Sequence, residues 1–211
     1  MRVPLLAYLA IASEAAPLAA ALIARRPQRG VRALILAWCA LLLVVDSVTV
    51  WLALHGIHNL WLFSFLAPFS VAVVLWTLSH WQTGDLTRLT MRLAILPFLL
   101  VWTVLTLAVE DTSTFSRAAS PMASIVGLGA AAFTLLARSF VSQGDLPRHD
   151  WFWVTGGMAL YFGASSALGP LSALLVASAP QLLDRAYELK AGLDIVAFLL
   201  IARGVTCPTE T

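Results

Sequence analysis

Lys190 is the only lysine in this chain, and it lies inside the last hydrophobic segment. A lone ammonium within an apolar span is costly unless it finds a partner or a water-filled cavity. Asp194 follows four residues on, which puts both side chains on one face of a helix. Two further carboxyls, Glu14 and Asp46, fall within the first and second hydrophobic segments. One lysine cannot neutralise three carboxylates. A proton, a cation, a ligand or water must complete such a group. The chemistry open to it is proton carriage, binding of a cationic group, or holding helices in register.

Other reactive residue types give weaker signals. His55 and His58 stand together with Asn59 and Trp61, and Glu110 and Asp111 are the nearest further metal ligands by topology. Ordinary interfacial histidines account for this pattern, so no metal site is expected. His80 and His149 lie at segment ends, where they cannot form an axial haem pair, and no cofactor is identified. Cys39 and Cys207 show neither CxxC nor zinc spacing. They are expected to be an apolar filler and a tail thiol. The chain has no Gly-x-Ser-x-Gly, no phosphate loop and no dinucleotide fingerprint. Ser165 and Ser166 have no histidine placed to activate them. No motif specifies bond-making chemistry, and no basic tract with interleaved aromatics points to nucleic acid.

The elements that position these residues follow from composition. Of 211 residues, 60% are hydrophobic and only 11% charged, against roughly 25% charged in a soluble domain. The fold class expected is an all-α polytopic integral membrane protein. A span needs about 20 apolar residues. Seven spans, at 4–24, 31–54, 59–81, 91–110, 118–141, 151–178 and 182–203, use up residues 1–211 as a single transmembrane domain. The first segment, with Arg2 and Ala-rich sites, resembles a secretory leader. The arginines that follow it mark it instead as a retained helix.

Orientation follows from those arginines. Arg25, Arg26, Arg29, Arg32, Arg88, Arg92, Arg138, Arg148 and Arg203 fall on one side; Arg2, Arg117 and Arg185 fall on the other. The richer side marks the cytoplasm, so the N-terminus is outside and the C-terminus cytoplasmic. At 1.5 Å per helical residue, Glu14 is about 15 Å deep from outside and Asp46 and Lys190 about 12 Å, with Asp194 near the midplane. A closed ring would bring helix seven beside helix one. Glu14, Asp46, Lys190 and Asp194 are therefore expected to form one polar cluster, a ligand or ion site.

Pro17, Pro68 and Pro97 predict kinks in spans one, three and four. Gly127 and Gly129 predict close packing of span five, and Gly169-Pro170 predicts a tilt or break in span six. Trp51, Trp61, Trp81 and Trp151 sit where an interfacial belt is expected. Seven helices with an outside N-terminus and a lysine in the seventh are similar in topology to the microbial rhodopsins. In that family a mid-helix lysine carries retinal. Here Lys190 is one turn too shallow, span three has no acidic counterion, and span six lacks an aromatic-proline pattern around Tyr161. The likeness is one of topology alone.

The expected function is a non-enzymatic membrane module in a bacterial inner membrane, either a receptor-like sensor or an accessory subunit of a membrane complex. Its partners would be the lipid bilayer, other membrane subunits or further copies of itself. The alternatives are a small proton- or cation-coupled transporter and an intramembrane cofactor-binding protein or enzyme. An odd helix count without a visible inverted repeat weighs against transport.

Overall fold

A computed structural model describes residues 4–24, 28–110, 116, 118–142 and 145–207. Arg2, Arg25, Arg26, Asp111 and Arg117, used above, lie outside the described residues. Those described are helical in nine α-helices and one short 3-10 turn, and contain no strand. The helices are α1 (Leu5–Glu14), α2 (Ala16–Ala24), α3 (Val31–Leu54), α4 (Leu60–His80), α5 (Asp85–Leu93), α6 (Ile95–Ala108), α7 (Ala119–Val141), α8 (Asp150–Ser178) and α9 (Pro180–Thr206). α1 with α2, and α5 with α6, run on as two broken rods, which gives seven rods in all. Four stretches are long and apolar enough to cross a membrane: Leu5–Ala24, Val31–Leu54, Asp85–Ala108 and Ala119–Val141.

The breaks have a common cause. Proline lacks an N–H and crowds the carbonyl four residues back. The first rod is interrupted at Ala15, two residues before Pro17, and the fourth at Ala94, three before Pro97. Pro68 is accommodated inside an unbroken α4, and α8 likewise runs through Gly169-Pro170 without a break.

The rods do not close a seven-membered ring. α9 packs on α8 and on α1–α2; α8 packs on α7, α7 on α4, α4 on α3, and α3 on α1. This closes a six-rod bundle. The α5–α6 rod flanks it, resting on α4 and α7. The first and last rods are therefore neighbours.

Close approach at α8–α9 rests on two glycines. A Cβ on Gly157 would stand 2.6 Å from the Ala197 carbonyl oxygen, and one on Gly204 would stand 2.5 Å from Val154. Gly127 similarly lets α7 approach the Phe162 ring, whereas Gly129 faces open space and serves no packing.

Side-chain ties fix the rest. Trp38 Nε1 donates to Ser70 Oγ at 3.1 Å, joining α3 to α4. Gln82 donates to Thr134 Oγ1 at 2.9 Å, joining the end of α4 to α7. Glu110 caps α7: one carboxylate oxygen accepts from Ser116 Oγ and from the Ala118 and Ala119 amides. Such a group satisfies amides that a helix start leaves without partners, and complements its dipole.

The end of the bundle where α3 and α8 begin and α9 finishes is locked by one buried residue. Arg32 Nη2 donates to Asp150 Oδ2 at 3.1 Å and to the Cys207 carbonyl at 2.5 Å. Cys207 is buried, and its backbone carbonyl is part of this lock. Trp151 departs from its expected interfacial role too. It is fully buried beneath the Arg138 guanidinium, while Trp51 and Trp61 remain exposed.

Candidate ligand-binding site

Four helix faces converge on the opposite half of the bundle. On α3, Arg32, Ile35, Trp38, Cys39 and Leu42 are buried at spacings of three and four, and Asp46 and Thr49 continue that stripe. On α9 the inward stripe runs Lys190, Asp194, Phe198, Ile201 and Val205. Glu14 is the last residue of α1, at the break before Pro17, and is buried. α8 contributes Tyr161 and Phe162.

All four ionisable residues singled out in the sequence meet here. Lys190 Nζ lies 2.5 Å from Asp194 Oδ2, and 5.3 Å from the centroid of the Tyr161 ring. The lysine thus has a carboxylate partner and an aromatic face, which answers the cost of its burial. Glu14 and Asp46 adjoin one another across α1 and α3. Glu14 Oε2, Asp46 Oδ1 and Asp194 Oδ1 are buried with no hydrogen-bond partner.

Asp46, Asp194, Lys190 and Tyr161 line a cavity of about 550 Å³. Glu14 stands behind Asp46 and does not line it. The walls are mostly apolar, with Leu66, Ala67, Phe162 and Leu168, and are punctuated by seven serines, among them Ser70, Ser124 and Ser165. The rim is at the end where α1 and α9 begin, beside Pro4, Asp184 and Glu188, all exposed. A cavity of this size, apolar with a few convergent polar groups, has the form of a small-molecule site.

Below the cavity the bundle is solid. Trp38 stacks on Phe162 at 6.1 Å and 14°, meets Tyr161 edge-on at 5.5 Å, and touches Phe198 at 6.4 Å. Beneath this aromatic layer come Met158, Val154 and Ile201, then the Arg32–Asp150 lock.

The histidine cluster assembles nothing comparable. His55 Nδ1 bonds its own helix at the Trp51 carbonyl, and its ring lies on Trp51. Glu110 is engaged in capping α7. Asn59, at the start of α4, does not cap it; its amide donates to the Thr49 carbonyl of α3. Among the described residues no group of three His, Cys, Asp or Glu is arranged to hold a metal ion.

Trp38, the serine lining, and Arg32 with Asp150 were not legible as site or lock residues from sequence. The stripe Arg32, Ile35, Trp38, Leu42 and Asp46 was the available signal. It places Trp38 about two turns below Asp46 on the same helix face. Comparison with protein-family models, curated proteins and solved structures finds no match to this chain.

Proposed function

We infer that this chain is a receptor-like sensor of a bacterial inner membrane, which admits a small ligand from outside. The observation that carries the reading is the cavity of about 550 Å³ lined by Asp46, Asp194 and Lys190 among mostly apolar walls. Among the described residues, seven arginines stand at the locked end of the bundle and Arg185 alone at the cavity end. Arginine excess marks the cytoplasmic side, so the rim opens outward and the lock faces the cytoplasm. A cysteine replacing His58 is expected to react with an impermeant maleimide on intact cells, and one replacing Arg148 only after lysis. The reverse labelling would invert the topology and remove the outward mouth.

α9 links the two ends. It carries Lys190 and Asp194 at the cavity and delivers the Cys207 carbonyl to Arg32, roughly 20 Å along the same helix at 1.5 Å per residue. A ligand that moves Asp194 therefore acts on a rigid lever that ends at the cytoplasmic lock. With few extramembrane residues, helix displacement is the output available to the protein.

Native mass spectrometry of gently extracted protein tests this. The expected result is a small-molecule adduct that disappears in Asp194→Asn. A stoichiometric protein subunit in its place would make the chain an accessory component. One observation favours a second reading, a proton-coupled carrier: two carboxyls, of Glu14 and Asp46, adjoin one another beside the cavity floor. That reading requires pH-driven uptake in proteoliposomes that is lost in Asp46→Asn.

A further inference from the structure

Carboxyls outnumber cations at the cavity floor. Glu14, Asp46 and Asp194 gather around the one ammonium of Lys190, which is paired with Asp194. Asp184 and Glu188 add two carboxylates at the rim. The only other described cation at this end, Arg185, lines a separate recess with Ala179, Gln181 and Leu182. A cleft in which one sign of charge is in excess concentrates ions of the other.

The shape of the floor narrows the cation further. Asp194 is nine-tenths buried and Asp46 partly buried; both line the cavity, and Oδ1 of each has no hydrogen-bond partner. The Tyr161 ring lies alongside. Carboxylates next to an aromatic face are what an ammonium group selects. Lys190 already uses that pairing, with Asp194 Oδ2 at 2.5 Å and the Tyr161 ring at 5.3 Å. Its flexible stem can swing to the rim, as lysines at wet interfaces do. A bare inorganic cation would leave the apolar walls unused, and an anion would meet a lysine that is already neutralised.

Building on the ligand-sensing reading above, we propose that the cavity receives a small amphipathic organic amine. Its ammonium is held by Asp46 and Asp194 against Tyr161, its apolar part lies along Phe162 and Leu168, and Lys190 is a built-in competitor that it displaces. Lysine release from Asp194 is then the event that α9 senses.

The test uses the full chain in lipid nanodiscs, with calorimetric titration corrected against empty nanodiscs. Phenethylammonium, phenethyl alcohol and phenylpropionate serve as cationic, neutral and anionic probes of similar shape. The amine is expected to bind at least about tenfold more tightly than the alcohol, through its charge-assisted hydrogen bonds. Lys190→Met is expected to tighten amine binding about tenfold by removing the competitor, and Asp46→Asn to weaken it by a similar factor. If Asp46→Asn does not fold, the probe series and Lys190→Met decide. Equal binding of amine and alcohol, or preference for the anion, overturns the amine assignment but leaves a ligand cavity. Unchanged amine affinity in Lys190→Met overturns the competitor role. Absence of binding by every probe, while the purified protein still carries an adduct, rejects the amine class alone. Absence of both rejects the sensing reading with it.

Discussion

Arg32→Met is expected to destabilise the bundle by about 3–5 kcal/mol, the usual cost of removing one member of a buried ion pair. The two side chains are only 6% and 7% exposed. The change takes a cation from the Asp150 carboxylate and a donor from the Cys207 carbonyl. Three helix ends, from α3, α8 and α9, lose their common tie. The check is the thermal midpoint in detergent, read together with maleimide reactivity at Cys207, which is 3% exposed in the intact lock. A double variant, Arg32→Met with Asp150→Leu, should recover part of the loss, because an apolar pair avoids the desolvation that a half-removed ion pair leaves behind. An unchanged midpoint with Cys207 still protected would mean that helix packing, aided by Gly157 and Gly204, closes this end without the ion pair.

Trp38→Ala is the second large effect, again about 3–5 kcal/mol for truncating a buried aromatic. Trp38 is 1% exposed and touches three rings, Tyr161, Phe162 and Phe198. Its removal takes away the layer that separates the cavity from the lower core. It also strips Ser70 of its donor. Trp38→Phe keeps a ring but loses the hydrogen bond, so it should cost only about 1 kcal/mol from that source. Thermal midpoints of the two variants separate the contributions. Equal losses would assign the stability to the Ser70 bond and not to the aromatic layer.

The helices were legible in the sequence because hydropathy is a local quantity. An apolar run of sufficient length must satisfy its own backbone hydrogen bonds wherever it ends up, and a helix does so within the run. Hence the rods lie close to the expected spans, and the prolines at 17 and 97 mark the two breaks. A fixed rise per helical residue also puts Glu14, Asp46, Lys190 and Asp194 at similar heights along their rods, and in the bundle the four come together, although what that cluster binds is not written in their spacing.

What the chain alone could not decide is which faces meet. The α5–α6 rod stands beside the bundle, where a ring of seven was the simpler expectation, because the choice depends on packing energies between distant segments. Arg32 read as one arginine of a topology signal, and only the approach of α8 and the end of α9 makes it a lock. Glu110 read as a stray metal ligand, and the start of α7 makes it a cap. Sequence determined the rods, the two breaks ahead of Pro17 and Pro97 and the side on which arginine accumulates, since each is set by residues near one another in the chain, but not that α4 and α8 run unbroken through Pro68 and Gly169-Pro170. Tertiary structure alone decided the cavity, its aromatic floor and the buried Arg32–Asp150 pair, because those groups become partners only when segments more than a hundred residues apart are packed together.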